Sequence, residues 1–116
     1  MSCEAILNDG FAHVRGTFQD AETKAFTDPT QVDFYWITPT DWASTATPGP
    51  ISGHLTYSTS TGDPEILRVS TGVYYVDLNA TEEGRWRYKW SASGTVNGTF
   101  EGTYEVGESA FAGRST

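Results

Sequence analysis

One seven-residue stretch, 84–90, constrains the fold of this chain more than any other. Within it basic and aromatic side chains alternate, in the order Arg85, Trp86, Arg87, Tyr88, Lys89 and Trp90. Successive side chains of a β-strand point to opposite faces, so this pattern predicts a strand with one aromatic face and one basic face. Large aromatic rings bury more apolar area than any other side chains. We therefore expect this strand to lie at the centre of the hydrophobic core.

The stretches on either side repeat the alternation. The apolar positions upstream are Tyr74, Val76 and Leu78, and those downstream are Phe100, Tyr104 and Val106. Short polar connections at 79–84 and 93–98 separate these stretches, which predicts a meander of antiparallel strands. Glu101 and Glu105 would then lie across from the basic face, where each opposite-charge pair contributes about 0.2–1 kcal/mol.

The composition extends this prediction to the whole chain. Aromatic residues make up 14% of the 116 residues, Ser and Thr are abundant, and windows rich in helix formers are lacking, which favours an all-β domain. Further strands are predicted at 11–18, 32–38, 54–58 and 65–69. About seven short strands separated by turns indicate an antiparallel β-sandwich. Cys3 is the only cysteine, so no disulfide can form within the chain.

This length allows one domain with one core. We expect a lead-in arm at 1–10, the sandwich domain at 11–106 and a flexible tail at 107–116. The core residues predicted from the alternation are Val14, Phe18, Phe34, Trp36, Tyr74, Val76, Leu78, Trp86, Tyr88, Trp90, Phe100 and Tyr104. The segment 40–53 is rich in Thr, Pro, Gly and Ser and is predicted to be a long loop.

Two motifs resemble the last strands of immunoglobulin-like and filamin-type sandwiches. They are Gly72-x-Tyr74 and Glu83-Gly84-x-Trp86-x-Tyr88. The resemblance implies that Trp86 takes the place of the corner tyrosine and Tyr88 that of the cysteine two residues later.

A closer resemblance covers about 11–106. The residues that carry it are Phe18-x-Asp20, Asp28-Pro29-Thr30-x-Val32, the Pro39 stop, Ser70-Thr71-Gly72-Val73-Tyr74, Gly84-x-Trp86-x-Tyr88-x-Trp90, Gly94 and Gly102-x-Tyr104-x-Val106. This pattern is similar to small single-domain immunoglobulin-like proteins encoded among the structural genes of tailed bacteriophages. It implies a virion accessory protein, made in the bacterial host cytoplasm. Its partner would be a capsid protein, as for a decoration or cement protein, or a connector protein at the head–tail junction, with self-association as a further option.

Several functions are disfavoured by the residues themselves. The net charge of -8 opposes general nucleic-acid binding, and no stretch approaches the roughly 20 apolar residues that span a membrane. His13 and His54 are the only histidines, and no serine lies in a Gly-x-Ser-x-Gly elbow. The acidic residues that would have to converge on calcium, Asp28, Asp33, Asp41 and Asp63, lack the spacing of a calcium loop. We expect no enzymatic activity, no cofactor and no metal site.

Aromatic residues on both faces of predicted strands indicate that some rings face outward. These rings either pack on each other across one wet face or form a protein-binding patch. The candidate interface residues are Tyr35, Ile37, Trp42, Tyr75, Arg85, Arg87, Lys89, Phe111 and Arg114. The alternative function is a carbohydrate-binding or host-surface adhesion module, in which Trp42, Tyr35 and Tyr57 form a stacking platform for sugar rings.

Overall fold

The computed structural model describes residues 2–8, 11–44, 51–58, 62–79 and 83–107, with side chains from Phe11 onward. The elements in chain order are β1 (Ser2–Asn8), β2 (Phe11–Thr17), β3 (Gln31–Ile37), α1 (Pro39–Trp42), β4 (Gly53–Ser58), β5 (Ile66–Ser70), β6 (Val73–Asn79), β7 (Gly84–Ser93) and β8 (Gly98–Val106). Within these ranges no helix is long and apolar enough to cross a membrane.

The strands form two four-stranded antiparallel sheets. Their orders are β1-β2-β6-β5 and β4-β3-β7-β8. This is the arrangement of an immunoglobulin-like sandwich, in which strands A, B, E and D face strands C, F and G, with β4 in the place of a C′ strand. The predicted all-β sandwich without a disulfide is confirmed.

The segment 1–10, predicted to be a lead-in arm, contains strand β1. This strand pairs with β2 along its whole length, from Ser2 opposite Thr17 to Asn8 opposite Phe11. The pairing satisfies backbone groups along an edge of β2 that would otherwise be open. The sequence conceals the strand because the consecutive apolar residues 5–7 interrupt the period of two.

The predicted meander is wrong at its first connection. Strands β6 and β7 lie in different sheets, so the link between them crosses from one sheet to the other. Of the three strands of the predicted meander, only β7 and β8 are neighbours in one sheet. β6 and β7 each bury one face and therefore show the same alternation of apolar and polar residues. This alternation does not depend on whether the link between two strands forms a hairpin or crosses to the other sheet. The predicted register of opposite charges holds within the hairpin, where Arg85 lies opposite Glu105 and Lys89 opposite Glu101, and Arg85 forms an ion pair with Glu105.

The core lies between the two sheets. Ten of the twelve predicted core side chains are buried there, while Trp36 and Phe100 are only partly buried. Trp36 lies across Gly53 on the edge strand β4, where fewer neighbours cover it. The core also takes in residues that the prediction omitted: Ala12, Val32, Ile66, Val73, Ala92 and Val96.

The central strand β7 carries the aromatic residues that fill this core. Trp90 is fully buried, lies 4.6 Å from Phe34 between ring centroids, and reaches across to Gly16 of β2 in the other sheet. Tyr88, for which the resemblance implied the place of a cysteine, lies across Gly102 of the neighbouring strand β8. The two sheets are therefore joined at this point by the Trp90 indole against Gly16, and Tyr88 packs within its own sheet.

Candidate binding face

The outward face of the sheet β4-β3-β7-β8 carries a continuous row of ring and charged side chains. The cross-strand register aligns His54 with Tyr35, Tyr35 with Lys89, and Lys89 with Glu101. Residues opposite each other on adjacent strands have Cβ atoms about 4.5–5.5 Å apart, so this row is one contact surface across four strands.

The next row of the same face is more apolar. Ile37 of β3 lies opposite Arg87 of β7, and Arg87 lies opposite Thr103 of β8. Apart from His54, the two rows form the floor of a groove of about 460 Å³, with Trp42 and Ile51 among its lining residues. We call this feature the groove; its lining residues are Tyr35, Ile37, Trp42, Ile51, Arg87, Tyr88, Lys89, Glu101, Gly102 and Thr103.

Helix α1 positions Trp42 beside the groove. Thr38 caps its N-terminus by accepting a hydrogen bond from the Asp41 backbone N–H at 3.3 Å, and Pro39 occupies the first turn, where it has no hydrogen bond to lose. Pro39 packs against Gly84 at the start of β7, and a side chain at Gly84 would collide with the proline ring. The helix is therefore fixed against the strand that carries the basic residues.

A second contact fixes the same turn from the other side. The Ser52 hydroxyl donates to the Asp41 carboxylate and accepts a hydrogen bond from the Thr38 backbone N–H at 2.8 Å. These hydrogen bonds join the segment before β4 to the cap of α1. They also explain how Trp42 and Ile51 come to line the same groove.

Two cations of the groove lie over aromatic rings. The guanidinium carbon of Arg87 is 3.6 Å from the centroid of the Trp42 ring, and the Lys89 ammonium is 4.6 Å from the centroid of Tyr35. Both distances are within the range of a cation–π contact. Trp42 nevertheless remains 57% exposed, so its ring is available to a partner.

Tyr35 is enclosed by its neighbours across the strands. His54 of β4 stacks on its ring, with centroids 4.1 Å apart and planes inclined by 10°, while Lys89 approaches from β7. Since β4 and β7 flank β3 on opposite sides, the ring has neighbours on both sides. Tyr35 therefore serves as part of the floor.

A polar cluster adjoins this row. The Asp33 carboxylate accepts hydrogen bonds from the Thr56 hydroxyl at 2.7 Å and from Gln31 at 3.0 Å, and it contacts His54 Nε2 at 3.0 Å. Burial on its own raises the pKa of Asp33, but the hydrogen bonds from Gln31, His54 and Thr56 outweigh it and hold the pKa below its usual value. The carboxylate is therefore ionised near neutral pH and orients the His54 ring on Tyr35.

The structure brings together five of the nine predicted interface residues. Tyr35, Ile37, Trp42, Arg87 and Lys89 all line the groove. Arg85 lies on the same strand two residues before Arg87, and its guanidinium donates to the Glu105 carboxylate at 2.8 Å.

The remaining interface predictions lie elsewhere. Tyr75 belongs to β6 in the opposite sheet, where its ring lies 4.4 Å from that of His13. Phe111 and Arg114 are outside the described residues.

The predicted sugar platform is wrong in one of its three members. Tyr57 points into the sandwich, packs against the core and lies 5.5 Å from Tyr74 between ring centroids. Tyr35 has neighbours on both sides. Of the predicted rings only Trp42 is widely exposed, so these rings do not form one coplanar surface.

The carboxylates that were considered as a calcium site lie in separate networks. Asp28 accepts a hydrogen bond from Arg68, and Asp33 accepts one from the Thr56 hydroxyl. Asp41 accepts one from the Ser52 hydroxyl, and Asp63 accepts one from the Thr56 backbone N–H. In the described part of the chain no three His, Cys, Asp or Glu side chains are grouped as metal ligands.

Five of the ten groove residues were not predicted at an interface: Ile51, Tyr88, Glu101, Gly102 and Thr103, of which Tyr88 was predicted as a core residue. Glu101 was expected across from the basic face, and that position is a signal for a role at the groove. Nothing in the sequence indicates a groove role for Ile51, because its position depends on the hydrogen bonds that join Ser52 to Thr38 and Asp41.

Comparison of the chain with protein-family models, curated proteins and solved structures finds no match in any of the three.

Proposed function

We propose that this protein is a non-catalytic attachment protein that binds a protein partner through the groove. The observation that carries the proposal is the convergence of β3, α1 and β7 on one exposed face, where rings and cations lie in contact. Aromatic residues and arginine are enriched at protein interfaces, and they contribute most of the binding energy there. Trp42, which is exposed, and Arg87, which lies in contact with it, are residues of these two types.

The resemblance to small immunoglobulin-like virion proteins of tailed bacteriophages suggests the partner. We propose a capsid or connector protein of a phage particle, with the chain as a decoration protein or an addition at the head–tail junction. This placement rests on the resemblance, whereas the binding face rests on geometry.

The polar cluster supports a role without catalysis. The Thr56 hydroxyl donates to the Asp33 carboxylate at 2.7 Å, whereas its distance to His54 Nε2 is 3.3 Å. In a catalytic triad the hydroxyl and the carboxylate contact different ring nitrogens of the histidine. Here Thr56 and Asp33 both contact Nε2 of His54, so the three side chains do not have the arrangement of a triad. The cluster therefore supports the Tyr35 ring and the floor of the groove.

The carbohydrate alternative has less support. Sugar stacking needs ring faces open to solvent, and of the predicted platform Tyr57 is turned toward the core and Tyr35 has neighbours on both sides. Trp42 alone offers such a surface, and one side of it carries the Arg87 guanidinium.

The test is co-sedimentation with particles of a tailed phage that encodes the chain, assembled without it. Purified protein is added, the particles are sedimented and the bound copies are counted. We expect saturable binding of the parent protein and at least tenfold weaker binding of Trp42→Ala. The matched control is Val69→Ser on β5 of the opposite sheet, because Val69 is 60% exposed and Trp42 57%.

Equal binding of both variants would remove the groove from the interface. No binding of the parent protein, together with retention on a glycan array, would replace the proposal with the carbohydrate reading. Hundreds of copies per particle would indicate capsid decoration, and about a dozen would indicate the connector or tail.

A further inference from the structure

The distribution of charge around the groove differs from that of the chain as a whole. The protein has 15 acidic and seven basic residues, yet three of the basic residues lie on the outward side of β7. They are Arg85, Arg87 and Lys89. A local positive region on an acidic protein selects partners by charge and raises the rate of their association.

These three cations differ in their partners. Arg85 is neutralised by Glu105 at 2.8 Å. Among the described residues, Arg87 and Lys89 form no salt bridge, and each is held against an aromatic ring. An aromatic ring positions a cation without cancelling its charge, so two fixed positive charges remain at the groove.

The stacking also directs the hydrogen-bond donors of Arg87. A guanidinium that lies over a ring has its N–H groups in its own plane, where they form the fork that matches a carboxylate. Both cations are partly buried, and the apolar residues Ile37 and Ile51 line the same groove. A charged hydrogen bond in such surroundings is stronger than one in open solvent.

The spacing of the cations suggests the form of the ligand. Arg87 and Lys89 are two residues apart on one strand, which separates them by about 6.4–6.8 Å along the strand axis. An extended peptide has the same repeat, so acidic side chains at alternate positions would face both cations at once. A ring or aliphatic side chain at the next alternate position would lie on the same side of the peptide and contact Trp42 and Ile51.

We propose that the groove binds an extended acidic segment of the partner protein, with carboxylates at alternate positions paired with Arg87 and Lys89. This inference rests on the proposed function, because it assigns the partner chemistry of the same groove. Glu101 lies opposite Lys89 and lines the groove, so it opposes an acidic ligand and lowers its affinity.

The probe is a fluorescein-labelled peptide, Gly-Glu-Ser-Glu-Ser-Phe-Gly, which places two Glu and the Phe on one face when extended. It is compared by fluorescence anisotropy with its analogue in which Gln replaces each Glu. We expect at least tenfold tighter binding of the acidic peptide at low salt, and loss of that preference in the variant Arg87→Gln/Lys89→Gln. Arg85→Gln is the matched control, because it removes the same charge type from a residue already paired with Glu105. Glu101→Gln is expected to tighten binding severalfold.

Three results would overturn the inference: equal affinity for both peptides, equal losses from Arg85→Gln and the double variant, or equally tight binding of a thymidylate dodecamer, which would indicate a general site for polyanions. The same variants are tested in the sedimentation assay. Loss of particle binding in Trp42→Ala without any peptide preference would leave the proposed function intact and reject only the acidic ligand. Peptide binding without particle binding would reject the proposed function.

Discussion

The indole of Trp90 lies directly over the backbone of Gly16. A Cβ atom added at Gly16 would be 2.9 Å from Cε2 of Trp90, closer than carbon atoms approach without displacement. Gly16 belongs to β2 and Trp90 to β7, so this contact joins the two sheets through the centre of the core. Trp90 is fully buried among other core residues and has little room to move.

We expect Gly16→Ala to destabilise the fold by about 1–3 kcal/mol, because an added methyl group overpacks the core. Urea denaturation measures the change in the free energy of unfolding. The matched control is Gly107→Ala, where an added Cβ meets nothing within 4 Å. The expectation fails if the two substitutions have the same effect.

Substitutions of Trp86 and Trp42 are expected to have different effects on stability, because Trp86 lies in the core and Trp42 on the proposed binding face. Trp86 is 2% exposed and stacks on Tyr104, whereas Trp42 is 57% exposed. We expect Trp86→Ala to reduce the free energy of unfolding by about 3–5 kcal/mol, as a large truncation in a core does. Trp42→Ala should reduce it by about 1 kcal/mol or less, since it removes an exposed cation–π contact with Arg87. Thermal melts decide: a Trp86→Ala midpoint within a degree or two of the parent would reject its core role.

Two buried tyrosines are expected to respond in opposite directions to the same substitution. The Tyr74 hydroxyl donates to Asp28 at 2.9 Å, while the Tyr104 hydroxyl is buried without a hydrogen-bond partner in the described structure. Tyr74→Phe should destabilise by about 1.5–3 kcal/mol, the range for hydrogen bonds to charged groups. Tyr104→Phe should be neutral or stabilise by about 1 kcal/mol, since it removes an unsatisfied polar group. A clear loss of stability in Tyr104→Phe would show that its hydroxyl has a partner.

The elements that could be predicted are those in which one face of a strand is buried. Trp86, Tyr88 and Trp90 alternate with charged residues, so both the strand and its orientation are visible in the sequence. Helix α1 has one turn, which is too short for a helical period to appear. The crossing between β6 and β7 could not be predicted either, because the alternation within one strand does not indicate which strand pairs with it.

The candidate site was predicted only in part for the same reason: alternation shows which way a side chain faces but not which strands are neighbours. Tyr35, Ile37, Arg87 and Lys89 were placed outward by alternation alone, and the register then brings them together. Tyr75 was also placed outward, but its strand belongs to the other sheet. Tyr57 was chosen by its ring, although it is one position from outward-facing Thr56 and therefore faces the core. The contact of Trp42 with Arg87 depends on α1 and Ser52, which sequence spacing does not reveal.

Asp28 links three separate parts of the fold through one carboxylate. It pairs with Arg68 of β5 at 2.8 Å and accepts hydrogen bonds from the Gly72 backbone N–H at 2.7 Å and from Tyr74. Gly72 has a positive φ of 73°, and an added Cβ there would collide with the Phe18 carbonyl, so the turn between β5 and β6 needs glycine. The carboxylate therefore fixes a turn that only glycine fits.

This network predicts a pH-dependent contribution to stability. The hydrogen bond from Arg68 is the largest influence, and with those from Gly72 and Tyr74 it outweighs burial and holds the pKa of Asp28 below its ordinary value of 3.8. A lowered folded-state pKa means that the unfolded chain binds the proton more readily, so this stabilisation is complete above the unfolded pKa and is lost as the pH falls through the folded one. Asp28→Asn should therefore destabilise by about 1.5–3 kcal/mol at pH 7, and the difference from the parent should shrink below about pH 4. Urea denaturation from pH 7 to pH 3 measures this, with Glu105→Gln as a control because its ion pair is exposed and should contribute about 0–1 kcal/mol. A difference between Asp28→Asn and the parent that stays constant across this pH range would mean that the charge of Asp28 does not stabilise the fold.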